Sequence, residues 1–176
     1  GTIMSDTKRM TYNAAYTYPK TTITTGSDNV ETKIEQKYPP DDLALTDLNS
    51  RNIINAVVEE KKTVGTELVL TSLKSYDDWF SNDNVIEPKT LEIKTYNNST
   101  GDKLQYYKYD IFGNPLELAK ENGERISYLW AYGGTEPVAQ VQNALNKDIA
   151  YTSFESGDNG NWVIGRGYSL PGSSFA

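Results

Sequence analysis

The sequence predicts a mainly β protein: an antiparallel meander of hairpins forming a twisted sheet, with one short helix near residues 42–50. Three observations predict it. Apolar and polar residues alternate with period two through successive runs of the chain. Clusters of Gly, Asn, Asp and Pro separate those runs at short intervals. Thirteen tyrosines, with many threonines, supply the aromatic and β-branched side chains that suit half-buried strands. The apolar share of 37%, tyrosines included, is below the ~45–50% of ordinary domains, and the many threonines make up part of the gap.

Residues 10–18 alternate as Met10, Tyr12, Ala14, Tyr16 and Tyr18 against Thr11, Asn13, Ala15 and Thr17, which predicts a strand. Thr21–Thr25 is β-branched and predicts a second. Gly26–Asn29 is a turn cluster. Val30–Tyr38 alternates again and stops at Pro39-Pro40, since proline cannot donate to a ladder. Asp41 and Asp42 then read as a helix start, with carboxylates near the positive end of the helix. Leu43, Leu45 and Leu48 give that helix a short apolar stripe, and packing over a sheet edge is its simplest role.

Ile53–Thr63 returns to strand character and ends in Glu59-Glu60-Lys61-Lys62, read as a solvated strand end. Leu68–Tyr76 predicts the next strand. It leads into Tyr76-Asp77-Asp78-Trp79-Phe80, a corner that the Trp-Phe pair should anchor. Thr90–Asn97, a turn-rich stretch over 97–102, Leu104–Asp110, Val138–Gln142 and Ile149–Phe154 continue the meander.

The hairpin around Asn122-Gly123 carries enough information to fix its register. Asn-Gly between apolar runs is a strong hairpin signal because both residues tolerate positive φ. A two-residue loop would set Lys120 opposite Arg125 and Glu121 opposite Glu124, both like-charge pairs. A three-residue loop, Glu121-Asn122-Gly123, sets Lys120 opposite Glu124, Leu118 opposite Ile126 and Leu116 opposite Tyr128. That register gathers apolar residues on one face, and a one-residue slip would scatter them. It places Gly123 at the left-handed position of a bulged turn.

The run Tyr106-Tyr107-Lys108-Tyr109-Asp110-Ile111-Phe112-Gly113-Asn114-Pro115-Leu116, followed by Glu121 to Trp130, resembles the tyrosine-aspartate repeat of the RHS/YD-repeat family. The likeness is firm over residues 90–142 and looser over 10–89. There it rests on Lys37-Tyr38-Pro39, on Asn52 to Lys62, and on Trp79 before Val85-Ile86-Glu87-Pro88, which look like the variant common in Bacteroidetes-type repeats. Tyr76-Asp77, the degenerate Tyr96-Asn97 and Tyr109-Asp110 recur near strand ends at uneven intervals. The phrase Tyr128 to Ala139 is similar to the segment that closes such arrays, although Tyr132 is followed by Gly rather than Asp.

The resemblance implies a twisted β spiral in a large cell-surface or secreted protein, with no enzymatic role for the repeat. It assigns structural positions to Tyr109, Asp110 and Gly113, and more weakly to Tyr76 and Asp77. The physical reading of such a corner agrees. The tyrosine ring packs along the sheet and the aspartate accepts hydrogen bonds from turn amides.

Residues 151–165 look like the opening strand of a jelly-roll carbohydrate-binding module. That likeness implies calcium ligation by Glu155, with Asp158 and loop carbonyls as further oxygen donors. The simpler reading of Gly157-Asp158-Asn159-Gly160 is a turn. The expected organisation is a repeat-like β domain over 1–150, then a linker or truncated first strand of a following β-sandwich over 151–176. Gly1 without a preceding Met suggests an excised piece of a longer chain.

Composition excludes several chemistries. The formal charge is −7, so the basic surface that nucleic-acid binding needs is not expected. No run of 18 apolar residues exists to cross a membrane as a helix. Cysteine and histidine are both absent, which removes Cys/His zinc sites, thiol nucleophiles and histidine bases. A carboxylate enzyme would need two acids about 5–10 Å apart across a cleft. Asp41-Asp42 and Asp77-Asp78 are sequence neighbours, and neighbours on a strand point apart.

No catalytic, cofactor-binding or metal-binding residue is therefore expected. Trp79, Trp130 and Trp162 are read as anchors before they are read as sugar-stacking platforms. The expected partners are adjacent repeats and domains of the parent chain, with self-association through strand edges. A glycan- or protein-binding module of the same surface protein is the alternative function.

Overall fold

The computed structural model describes residues 7–14, 16–81, 85–152 and 159–163. Ten strands follow one another: β1 (Thr7–Tyr12), β2 (Pro19–Thr25), β3 (Glu31–Lys37), β4 (Glu59–Val64), β5 (Glu67–Asp78), β6 (Ile86–Thr95), β7 (Asn98–Tyr109), β8 (Pro115–Lys120), β9 (Ile126–Ala131) and β10 (Glu136–Gln142). They form one antiparallel sheet in chain order, a meander from β1 to β10. The fold class is the one the alternation predicts. Chain contacts divide it into two compact units, Gly1–Ser75 with Thr90–Lys103, and Tyr76–Lys89 with Leu104–Ala176.

In the first unit the predicted strand over 10–18 is shorter and earlier. β1 ends at Tyr12, Asn13 and Ala14 turn, and Tyr16–Tyr18 bend. The alternating tyrosines of this stretch pack as a cluster instead of lining a strand. Tyr16 is 7% exposed, edge-on to Tyr38 at 5.5 Å, while Tyr18 stacks on Tyr38 at 5.5 Å.

The predicted helix over 42–50 is also shorter. A 3-10 turn occupies Pro39–Asp41 and the α-helix, α1, only Thr46–Ser50. Its N-cap is Leu45, not an aspartate. The Asp42 carboxylate closes a local turn by accepting from the Ala44 amide at 3.1 Å. Asp41 caps the 3-10 turn by accepting from the Tyr38 amide at 3.1 Å. Leu48 is buried and is the member of the expected leucine stripe that packs inward, whereas Leu43 is exposed.

The charge run Glu59-Glu60-Lys61-Lys62 does not end a strand. It opens β4, a strand paired on both sides. Lys61 stands opposite Glu35 and Lys37 opposite Glu59. Lys61 Nζ also lies 2.6 Å from Glu59, and Gln36 donates to Glu60 at 2.9 Å. Opposite charges across strands make an interior position tolerable for this run. Residues 53–58 carry no strand. The turn-rich stretch over 97–102 is a tight turn at Tyr96-Asn97, after which β7 begins.

In the second unit β9 alternates strictly. Ser127, Leu129 and Ala131 are buried and their neighbours half-buried. The β8–β9 register is the predicted one, with Leu118 opposite Ile126 and Glu117 opposite Ser127. The turn chemistry differs in one detail. Asn122 holds the positive φ, at 60°, and the Gly123 amide donates to Lys120 O at 2.8 Å. A Cβ at Gly123 would sit 3.2 Å from Lys120 O, so this glycine answers to close approach.

After β10 the chain turns back as a strap. Asn143 N donates to Arg125 O, and a 3-10 turn at Asn146–Asp148 follows. The strand expected at Ile149–Phe154 is absent over 149–152, and its remainder lies outside the described residues. Asn146 is buried and fully engaged. Its amide donates to Glu117 at 2.9 Å, its Nδ2 to Tyr128 O at 2.8 Å, and its Oδ1 accepts from Lys108 at 3.1 Å. Such a network fixes a segment in place because each buried polar atom needs its partner.

Candidate functional site

The most densely organised constellation in the second unit surrounds the turn between β7 and β8. Tyr109 closes β7 and is 4% exposed. Its ring lies 4.9 Å from Trp79 and 5.5 Å from Tyr106, and its hydroxyl donates to Pro88 O at 2.9 Å. Burial, then the neighbouring Tyr106 hydroxyl and Glu87 carboxylate, push its ionisation far above the ordinary tyrosine range.

Asp110 organises the turn itself. Its Oδ1 accepts from the amides of Phe112 at 2.9 Å and Asn114 at 2.8 Å, and its Oδ2 from Asn114 Nδ2 at 3.0 Å. Gly113 completes the turn at φ 83° and donates to Asp110 O at 3.1 Å. A side chain here would be strained by φ alone, and its Cβ would meet Glu87 Oε1 at 2.8 Å. Tyr109, Asp110 and Gly113 are thus each engaged by the corner itself.

The corner after β5 repeats this device one residue later than expected. Asp78 accepts from the amides of Phe80 and Ser81, at 3.4 and 3.0 Å. Asp77 instead meets Lys89 across the sheet at 2.6 Å, and Tyr76 is half-buried. Asp78-Trp79-Phe80 and Asp110-Ile111-Phe112 are therefore equivalent corners, each an aspartate bonded to the amide of a phenylalanine two residues on. Trp79 anchors the first by donating to Glu87 O at 3.2 Å.

A third turn, Tyr132–Thr135, abuts the second corner. Asn114 Nδ2 donates to Gly134 O at 2.6 Å, and the Phe112 ring lies so close that a Cβ on Gly134 would stand 2.6 Å from it. Trp130 donates to Pro115 O at 3.0 Å. Two of the three tryptophans thus act as anchors, while Trp162 is 54% exposed.

Glu87 is the one acid in this cluster that sequence patterns did not single out. Nothing local marks it, because its burial comes from the corner that folds over it. Burial raises its pKa. A raised folded value means the folded state binds the proton more tightly than the unfolded chain. The stabilisation is full below the ordinary glutamate range and lost as pH rises through the raised value. Glu87→Gln is therefore expected to raise the melting temperature at pH 7 and to flatten this pH dependence, as thermal unfolding from pH 4 to 8 would show. An unchanged or lower melting temperature at pH 7 would contradict it.

In the first unit, Asp41 plays the opposite part. Burial alone would raise its pKa. The Tyr16 hydroxyl, the Tyr38 amide, Lys20 at 3.7 Å and Asn13 at 3.2 Å outweigh that and hold it below the ordinary aspartate value. Burial and the Asp41 bond push the Tyr16 hydroxyl up to about 12. Asp41 thus contributes stability that is present above the ordinary aspartate range and lost as pH falls through its depressed value. Asp41→Asn should remove that acid-labile component, visible as a shallower fall in stability below pH 4.

A groove of about 320 Å³ runs beside Asp41, lined by Lys20, Glu35, Lys37, Glu59 and Lys61 among others. Its charges are neutralised within the fold. Lys20 faces Asp41, Lys37 faces Asp42 at 3.5 Å, and Lys61 faces Glu59. Asp41 and Asp42 have separate partners, as do Asp77 and Asp78. Among the described residues no group of three or more acids gathers to hold a metal. Glu155 and Asp158, the implied calcium ligands, lie outside the described residues. No helix of the described residues is long and apolar enough to cross a membrane.

Compared with protein-family models, curated proteins and solved structures, the chain matches none.

Proposed function

We propose that this chain is a non-enzymatic scaffold segment of a large cell-surface or secreted RHS/YD-repeat protein. One observation carries the reading. At the Tyr109-Asp110 corner, the ring, the hydroxyl, both carboxylate oxygens and the turn glycine are all engaged by the fold itself. Side chains that a binding or catalytic site would present outward serve here to brace successive corners. The Asp78 corner repeats the carboxylate-to-amide bonds, in keeping with a stacked array.

A scaffold holds its corners at fixed separations. Dyes attached at Ile111 and Gln142, both in the second unit, should give one narrow distance distribution by single-molecule energy transfer, unchanged by added oligosaccharides. A broad distribution, or one that shifts with a saccharide, would overturn the reading.

A second reading, recognition of a glycan or protein partner, is favoured by one feature. Phe112 is 65% exposed, and Tyr132, in the adjoining turn, is 45% exposed with a φ of 54°. Positive φ is costly for a bulky residue and concentrates at functional positions. Calcium, if the C-terminal likeness holds, would belong to this reading.

A further inference from the structure

The strap that follows β10 meets the sheet at a cluster of an amine, a carboxamide and a carboxylate, all within the second unit. Lys108 on β7 stands opposite Glu117 on β8, so their side chains leave the same face of the sheet. The Lys108 amine donates to Asn146 Oδ1 of the strap at 3.1 Å. Glu117 Oε1 accepts from the Asn146 backbone amide at 2.9 Å, and its Oε2 accepts from Arg125 at 3.2 Å. Asn146 is 6% exposed and the Glu117 side chain 12%. Lys108 itself is an exposed residue whose amine reaches inward to a buried acceptor.

The carboxamide in this cluster cannot turn away from the amine. Asn146 Nδ2 is held by Tyr128 O at 2.8 Å, its backbone amide by Glu117, and its backbone carbonyl by Asn161 Nδ2 at 2.7 Å. The lysine stem, by contrast, has four flexible carbons and can swing its nitrogen over the fixed amide carbon. A nucleophile and an electrophile held in contact react as if at an effective concentration far above any attainable in solution. The chain also has no cysteine, so a disulfide cannot tie the strap to the sheet.

We propose that Lys108 and Asn146 join spontaneously in an intramolecular isopeptide bond, a covalent cross-link between β7 and the strap. The Lys108 ammonium first gives one proton to water at its exposed side, and the free amine attacks Asn146 Cγ. The Nζ–Cγ bond forms and the Cγ–Nδ2 bond breaks. Nδ2 leaves as ammonia, taking up one of the two remaining amine hydrogens. One amide replaces another, so nothing is oxidised or reduced. Glu117 is a positioning residue: it holds the Asn146 backbone while the amine attacks. The link closes a loop across a sequence separation of 38 residues and restrains the unfolded chain as a disulfide would. The inference stands on this cluster alone and does not depend on the repeat-protein reading.

Intact mass spectrometry of the whole chain tests it. The native chain should weigh about 17 Da less than its sequence, the mass of one ammonia. Fragmentation of a protease digest should place the loss in a branched peptide joining Lys108 to Asn146. Lys108→Arg keeps the charge and a donor but cannot form the link, and should restore the full mass. Glu117→Ala should leave most of the chain unlinked, while Glu117→Gln, which keeps an acceptor for the Asn146 amide, should restore the link. If the variants fail to fold, the native mass and the branched peptide still decide. Full mass in the native chain, even after prolonged incubation at alkaline pH, would overturn the inference. So would the same loss placed at Asn122-Gly123 as a succinimide, or retained in Lys108→Arg.

Discussion

Replacing Tyr109 by alanine is expected to cost about 4 kcal/mol of folding stability, within the range for removing a large buried aromatic. The ring is 4% exposed and lies against both Trp79 and Tyr106. Its removal leaves a cavity between these two rings and strips Pro88 O of its donor. Tyr109→Phe separates the two contributions. It keeps the packing and loses only the hydroxyl, for about 1–3 kcal/mol. Urea unfolding monitored by tryptophan fluorescence measures both, because Trp79 reports on the cluster directly. A loss below ~1 kcal/mol for the alanine variant would show that the corner does not brace the unit.

Asp110→Ala is the second large effect, expected at about 3 kcal/mol. Three donors face this carboxylate, two of them backbone amides within the turn. Bonds to a charged acceptor are stronger than neutral ones, and a buried donor left alone adds its own penalty. Asp110→Asn should recover part of the loss, since the amide oxygen still accepts from the turn. Its NH2 group, however, faces Asn114 Nδ2, donor against donor. Asp77→Ala should cost far less, under ~1 kcal/mol, because its partner Lys89 forms an exposed pair. That contrast distinguishes a corner aspartate from an ordinary strand aspartate, and denaturant midpoints of the three variants display it.

Local signals made the meander legible. Period-two runs, turn clusters and the like-charge conflict at Lys120 and Arg125 act between near neighbours, so the sequence contains both partners. The β8–β9 register followed from them. Which of Asn122 and Gly123 takes the positive φ did not, because both residues tolerate it and the close approach of Lys120 decides.

The errors share one cause: the deciding partner is distant. Glu59 to Lys62 looked solvated because their counter-charges, Glu35 and Lys37, lie on β3. Tyr16 and Tyr18 alternate like strand residues, yet Tyr38 and Asp41 draw them into a cluster. The Tyr-Asp pattern favours Asp77 over Asp78, whereas the corner is set by which carboxylate can reach the Phe80 and Ser81 amides. Asn146 and Glu87 had no sequence signal, since each is defined by a segment that folds over it.

The two pH-sensitive acids point in opposite directions for a physical reason. Asp41 is surrounded by donors and a cation, so the fold favours its charge. Glu87 is half-buried beside the Gly113 turn and near Tyr76, Tyr106 and Tyr109, so the fold favours its proton. Acidification should therefore weaken the first unit while strengthening the second.

The measurement that tests the scaffold reading most directly is glycan-array binding of the whole chain, with and without calcium. The account predicts no saturable binding in either condition by a folded β protein. Specific, saturable binding that disappears when Phe112, Tyr132 or Trp162 is replaced by alanine, with the fold intact, would contradict it and make this chain a recognition module.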